Sequence, residues 1–462
     1  MQDIPQKVHF IGVGGAGMSG IARILAGLGY QVTGSDINMS NTINKLEAVG
    51  VKCYIGHEAK NVDNAEMVVV STAIPPTNPE LIRAKEIGIP VRHRGEMLAK
   101  LMERQKGIAV AGSHGKTTTT SMMAMVMEKV GLDPTIVVGG EINDIGGNAK
   151  LGQGQYLVAE ADESDGSFLL LSPHVAIITN IEDDHLDYYG SAEKVVDSFK
   201  NFLNRINTDG LAVLCYDDPT VQSIIKDATT KVVTYGINEQ AEYALQNIKL
   251  NGSINSADVY HGDKYIGRLE LSVPGQHNML NALAVTAVSL HIGLEFEEVA
   301  GALKEFRGAR RRYQLLGEVD GIKVIDDYAH HPTEIKATLK AARQAGNGRV
   351  IGVFQPHRYS RTKHLHQQFG ESFTDADVVV INDIYSAGEA PIEGISAQLI
   401  VDAARRNNAG EVTYIEDLSD VAGYLASIAQ PGDIILTMGA GNIGSSGVEL
   451  VQKLEERVND DN

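Results

Sequence analysis

GIAVAGSHGKTTTT, residues 107–120, joins a short apolar run to a glycine turn, a lysine and a run of threonines. Its composition makes Ile108–Ala111 a buried strand, and Thr117–Val130 a long helix. Between them lies Gly112-Ser113-His114-Gly115-Lys116-Thr117-Thr118. In such a turn backbone amides wrap the β- and γ-phosphates, a lysine neutralises them, and a threonine hydroxyl reaches Mg²⁺. The generic pattern wants a glycine five residues before Gly115, where this chain has Val110. The match therefore rests on the G-K-T core in its strand–loop–helix setting. Such a unit belongs to a parallel α/β sheet, and similar units flank it on both sides.

Upstream, the strand KVHFIG from Lys7 leads into Gly12-Val13-Gly14-Gly15-Ala16-Gly17 and a helix over Met18–Leu28. This G-x-G-x-x-G lets backbone approach a diphosphate at a helix N-terminus. Asp36 lies 24 residues beyond Gly12, at the end of the next strand, where a carboxylate can meet a ribose. A dinucleotide, another nucleoside diphosphate, or a plain tight turn each satisfies the pattern.

Downstream, Tyr156–Ala159 is a strand ending at Glu160, where a Mg²⁺ ligand belongs beside a phosphate turn. Val175–Thr179 leads to His185, which can serve a second metal ion. A solvated acidic loop and a capping histidine are the plain alternatives. Ala244–Val273 alternates polar and apolar residues around turns at Asn251-Gly252 and Gly262-Asp263, predicting antiparallel hairpins. Asn278 opens a helix to His291, as an adenine reader or as an ordinary cap. The basic segment Arg307–Arg312 reads as a linker to a third α/β unit, whose tail EERVNDDN reads as frayed. In that unit Arg358 and Arg361, three residues apart, form a carboxylate clamp or a charged helix face.

Composition narrows the function. Forty basic against 59 acidic residues leave a net charge of −19, a poor surface for nucleic acid or anionic membranes. Only Cys53 and Cys215 are present, so no disulfide framework is readable and reduced cytosolic thiols are expected. No apolar run approaches the roughly 18 residues of a membrane span, so a soluble, cytoplasmic protein is expected.

The ordered set FIGVGGAGMSGIA, GSHGKTTTT, EADESDGSFL, TNIEDDHLD, GQHNMLNA, DDYAHHPTE, FQPHRYSRT and GAGNIG resembles the ATP-dependent Mur ligases of bacterial peptidoglycan synthesis. The resemblance implies three α/β domains. These are a Rossmann-like UDP-binding domain over 1–105, a P-loop ATPase domain with a small antiparallel subsheet over 106–311, and a Rossmann-like domain over 312–462. It also implies an ADP-forming ligase that joins L-alanine to the carboxylate of UDP-N-acetylmuramate through an acyl phosphate. The alternative is a recycling ligase that adds a whole tripeptide. That branch carries a cysteine in the first glycine loop and a tyrosine after the acidic pair, where this chain has GVGGAGM and DESDGSF.

Carried over by motif position, Gly12, Gly14, Gly15, Ala16, Gly17, Asp36, Ser71 and Thr72 hold the UDP portion. Gly112 to Thr118, with Lys116 foremost, hold the ATP phosphates. Thr117 and Glu160 hold one Mg²⁺ and His185 the second. Asn278 and Asn281 face adenine, Arg312 reaches ATP, and Asp327 holds its ribose. Tyr328, His330, Arg358 and Arg361 form the alanine pocket, with His330 a candidate base. Two departures stand out: Ser113 replaces a usual threonine, and His93-Arg94 replaces a usual Arg-Arg pair.

Overall fold

In the computed structural model the phosphate turn sits in the largest of three sheets, and residues 4–142, 147–251, 254–346, 348–407 and 410–460 are described. Packing divides the chain into two compact units. The first comprises Met1–Gln246, Val259–Gly267 and Leu280–Leu303; the second comprises Asn247–Asp258, Arg268–Met279 and Lys304–Asn462.

The N-terminal sheet contains β1 (Lys7–Ile11), β2 (Gln31–Asp36), β3 (Lys52–Ile55), β4 (Met67–Val70) and β5 (Val91–His93). Its order is β3-β2-β1-β4-β5 with parallel pairing throughout. The order reverses between β1 and β4, which opens a crevice at the carboxyl ends of those strands. The glycine loop leaves β1 there, and Ser71-Thr72 leave β4. The two loops touch: a Cβ on Gly12 would lie 3.0 Å from Ile74 Cδ1.

The next sheet contains β6 (Lys106–Ala111), β7 (Thr135–Ile142), β8 (Gly147–Lys150), β9 (Tyr156–Glu160), β10 (Val175–Ile178), β11 (Leu211–Cys215), β12 (Lys231–Gly236), β13 (Tyr243–Leu250), β14 (Asn255–His261) and β15 (Lys264–Leu271). Its order is β15-β14-β13-β12-β11-β10-β6-β9-β7-β8. β6 is flanked by β9 and β10 and buried from Gly107 to Ala111, so its sequence is apolar without alternation. The helix Lys116–Lys129 is buried from Thr117 to Met127, which suits a segment with no polar face. β7 and β8 form an antiparallel pair that the sequence reading did not anticipate. That pair packs on the helix Ala16–Gly27, where Asn148 Nδ2 donates to Ala16 O at 2.6 Å and to Ser19 Oγ at 2.9 Å. Of the two expected turns, Gly262 bends with φ +56°, whereas Gly252 lies outside the described residues.

The second unit holds β16 (Gln314–Val319), β17 (Ile322–Asp327), β18 (Val350–Phe354), β19 (Val378–Asn382), β20 (Glu411–Ile415) and β21 (Ile434–Met438). Their order is β16-β17-β21-β18-β19-β20, parallel except for β16 against β17. The expected linker is pinned: Arg311 donates to Asp326 Oδ2 at 2.9 Å, Gly439 O at 2.7 Å and Gly441 O at 3.1 Å. The frayed tail is corrected. Helix Gly444–Asp460 continues through residues 455–460, anchored upstream by the fully buried Leu450 and Leu454, and Asp461 and Asn462 lie outside the described residues. Among the described residues no helix is long and apolar enough to cross a membrane. Cys53 and Cys215 are free, and burial pushes both thiols up to about 11.

Candidate active site

The phosphate turn is shaped by residues far away in sequence. Thr179 Oγ1 donates to His114 O at 2.6 Å, Asn180 Oδ1 accepts from His114 N at 2.8 Å, and Ser113 N donates to Asn180 O at 3.1 Å. Gly112 has φ +136°, and a Cβ there would come within 2.1 Å of Thr179 Oγ1, so only glycine fits. Ser113 Oγ accepts from Glu182 N at 2.8 Å, a bond that needs only the hydroxyl that serine and threonine share. Asn281 packs against the same turn, its Oδ1 3.0 Å from where a Cβ on Gly115 would sit.

Lys116 folds back onto its own loop. Its Nζ donates to Gly112 O, to Ser113 O at 3.1 Å and to Glu163 Oε1 at 2.7 Å. Burial favours the neutral amine, but the Glu163 carboxylate outweighs it and holds the lysine above its usual range. Burial pushes Glu163 up, toward about 7, against the pull of Lys116. Glu163 Oε1 also lies 3.7 Å from His185 Nε2, so one carboxylate joins the lysine to the candidate metal histidine. Sequence reasoning missed Glu163, although it stands in the quoted acidic loop.

The residues expected to hold Mg²⁺ fit a divalent cation. Glu160 and Thr117 share a cradle on β7: a Cβ on Gly139 would lie 2.6 Å from Glu160 Oε2, and one on Gly140 would lie 3.1 Å from Thr117 Cγ2. The carboxylate and hydroxyl oxygens of Glu160 and Thr117 suit a hard cation that keeps several waters. His185 itself sits in the left-handed region, φ 56°, at the start of the turn Leu186–Tyr189.

In the glycine loop, most amides are committed to its own shape. Gly12 N and Val13 N donate to Ser35 O, Gly14 N to Asp36 Oδ2 at 2.9 Å, and Gly15 N to Gly12 O. Asp36 thus braces the loop, and Ala16 and Gly17 open the helix whose first N–H groups point outward. Behind the loop, Ser35 Oγ donates to Glu80, which also takes Asn61 Nδ2 at 2.6 Å and lies 3.1 Å from His57 Nδ1. His93, the departure from the usual pair, caps the helix Arg94–Met102: its Nδ1 accepts from Gly95 N at 3.2 Å.

In the second unit most of the residues expected to hold alanine lie near one another. The Tyr328 and His330 rings lie 5.2 Å apart, His330 and His357 6.0 Å, and His357 stacks on Tyr385 at 5.7 Å. Arg361 Nη1 donates to His357 Nδ1 at 3.3 Å, and Arg358 lies 4.0 Å from Glu389. Burial, with the two arginines adding to it, lowers His357 to about 4, so it is neutral at ordinary pH. His330 Nδ1 lies 2.9 Å from Tyr328 O and 3.3 Å from Glu334 Oε2. Arg358 adopts φ 73°, a costly backbone for any residue that carries a Cβ, at the N-cap of helix Tyr359–Glu371. His357, Tyr385 and Glu389 were not anticipated as pocket residues.

Arg311 and Arg312 both approach the Tyr328 ring at 5.2 Å, and Arg312 Nη1 lies 3.7 Å from Glu334 Oε1. Asp327 is buried with both oxygens engaged, by Tyr313 N at 2.7 Å and Ala329 N at 2.7 Å. Burial raises its carboxyl to about 6. Asn278 Nδ2 donates to Pro274 O at 2.6 Å, a local bond beside the start of its helix.

Three family models match in order: one described as Mur ligase family, catalytic domain, over residues 7–106; Mur ligase middle domain over 110–289; and Mur ligase, glutamate ligase domain, over 311–441. A UDP-N-acetylmuramate–L-alanine ligase of Pelotomaculum thermopropionicum is 58% identical over 455 residues, 98% of this chain and 99% of the relative. The crystal structure of a UDP-N-acetylmuramate–alanine ligase from Thermotoga maritima is similar with a TM-score of 0.83 at 31% identity, over 98% of this chain and 99% of that one. A murein peptide ligase from Psychrobacter arcticus is similar at TM-score 0.73 and 25% identity, over 97% and 99%.

Proposed function

This chain belongs to the Mur ligase family, and on that premise we propose that it joins L-alanine to the carboxylate of UDP-N-acetylmuramate, consuming ATP and releasing ADP and phosphate. The observation that carries the reading is the half-buried Lys116 in a built phosphate turn, in a chain 58% identical over nearly its full length to a ligase of that activity. The tripeptide-adding reading has weaker support: the murein peptide ligase is 25% identical, and the first glycine loop lacks the cysteine of that branch.

The chemistry follows from charge. A carboxylate is a poor acyl donor, so its phosphorylation by ATP makes an acyl phosphate that an amine can attack. Residues Gly112–Thr118 cradle the phosphates, and Lys116 moves from its carbonyl and Glu163 partners onto the transferring phosphoryl group. Thr117 and Glu160 would hold one Mg²⁺ and His185 a second, which supply charge neutralisation there when bound. Arg358 and Arg361 fix the carboxylate of alanine so that its amine faces the acyl carbon. His330 takes a proton from the amine, which attacks as the neutral form. The tetrahedral intermediate expels phosphate and leaves the amide. Residues 1–105 are assigned to the UDP portion, 106–311 to ATP with Asn278 and Asn281 at adenine, and 312–462 to alanine, with Arg312 and Asp327 as the ATP ligands expected of that domain.

Lys116→Ala tests the central step. ADP release should fall by about three orders of magnitude, as for loss of a main transition-state charge contact, with UDP affinity unchanged. Retention of more than a tenth of wild-type turnover would contradict the assignment.

A further inference from the structure

Arg94 opens the helix Arg94–Met102 at the end of β5, and no role in ligand binding follows from its motif. Its guanidinium is mostly buried, and one nitrogen, Nη2, takes both acidic partners: Asp162 Oδ2 at 2.6 Å and Asp165 Oδ2 at 2.9 Å. Both carboxylates are held for this contact by their other oxygen, Asp162 Oδ1 by Ser164 N and Asp165 Oδ1 by Ser167 N, each at 3.0 Å. Burial disfavours the charge on Arg94, and the two carboxylates outweigh it. His93 Nε2 stands 3.5 Å from Asp165, and a Cβ on Gly95 would come within 2.7 Å of Ser167 Cβ, so the helix start fits tightly on the acidic loop.

The opposite edge of the guanidinium meets the glycine loop. Nη1 lies 3.3 Å, and Cζ 3.8 Å, from the position a Cβ on Gly17 would occupy. This is the part of the loop where amides remain for a ligand, because Gly12, Val13, Gly14 and Gly15 are committed to Ser35, Asp36 and the loop itself. The Asp36 carboxylate at the end of β2 lies against the loop at Gly14 N, so a diphosphate arriving there meets a negative group and needs a cation to offset it.

We propose that Arg94 is a diphosphate ligand of the UDP-linked substrate, its Nη1 edge serving the phosphates at Ala16-Gly17 while Nη2 stays on Asp162 and Asp165. This deepens, and rests on, the reading of the Gly12–Gly17 loop as a nucleoside diphosphate site. The same guanidinium then ties that site to the acidic loop whose Glu163 holds Lys116, three residues from Glu160. A planar fork with two usable edges can do this; an ammonium is a point charge and can serve one side only.

That difference supplies the test. UDP and UMP binding are measured by titration calorimetry for wild type, Arg94→Lys and Arg94→Ala, with melting temperatures alongside. Wild type should bind UDP, and both variants should bind it at least tenfold more weakly, while UMP affinity falls by less. Arg94→Lys should melt within about 2 °C of wild type because it keeps a cation between the aspartates. Wild-type UDP affinity in Arg94→Lys overturns the proposal, as does an equal loss for UDP and UMP in step with a lowered melting temperature. Absence of UDP binding in wild type overturns the reading of the loop itself.

Discussion

Glu80 shows how far a single side chain reaches in this fold. It is fully buried, yet it gathers Ser35, Asn61, His57 and, at 3.6 Å, His9, and through Ser35 it sits behind the glycine loop. Burial pushes its carboxyl up, but the neighbouring His9 imidazole and the hydrogen bonds from Ser35 and Asn61 together win and hold it at about 2, below the ordinary 4.5. A carboxyl lowered on folding contributes stability that is complete above pH 4.5 and is lost as the pH falls toward 2. Glu80→Gln should therefore destabilise the protein by about 1–3 kcal/mol at pH 7, with the gap closing on acidification. Denaturant melts at pH 7 and pH 3 check this; a gap that widens at low pH would refute the assignment. None of this was legible in the sequence, where Glu80 is one of many acidic residues and its partners lie 19 to 71 positions away.

At the scale of elements, the units that sequence reading found are those with local signals. A strand, a glycine turn and a helix follow one another within a few residues at Gly12–Gly17 and at Gly112–Thr118, so fold and phosphate chemistry are written side by side. The β7–β8 pair was not found, because β8 is the four residues GNAK with no apolar period, and β7 carries a glycine pair that weakens its strand signature. Those two glycines have a steric role: Gly139 and Gly140 leave the room in which Glu160 and Thr117 sit. Gly139→Ala should displace the Glu160 carboxylate and raise the Mg²⁺ concentration for half-maximal activity about tenfold, with UDP binding intact. A Mg²⁺ titration of activity reads this directly, and an unchanged midpoint would remove Glu160 from the metal site. Likewise Thr179 and Asn180, read only as the approach to His185, build the phosphate turn from 65 and 66 residues away.

Across the whole molecule, the −19 charge coexists with cations placed one by one: Lys116 on the phosphate turn, Arg94 by the glycine loop, and Arg312, Arg358 and Arg361 in the second unit. The overall charge thus argues against polyanions, while local guanidinium and ammonium groups select small ones. Family membership was legible because eight ordered motifs each sit where a strand ends. What joins them was not, since pairs such as Arg94–Asp165 span 71 residues and are set by the packed fold. The most direct test of the proposed activity is ADP release from purified protein with ATP, Mg²⁺ and UDP-N-acetylmuramate, offered L-alanine or the tripeptide in turn. Turnover that requires L-alanine and ignores the tripeptide is the predicted result; turnover with the tripeptide alone, or none with either, would contradict it.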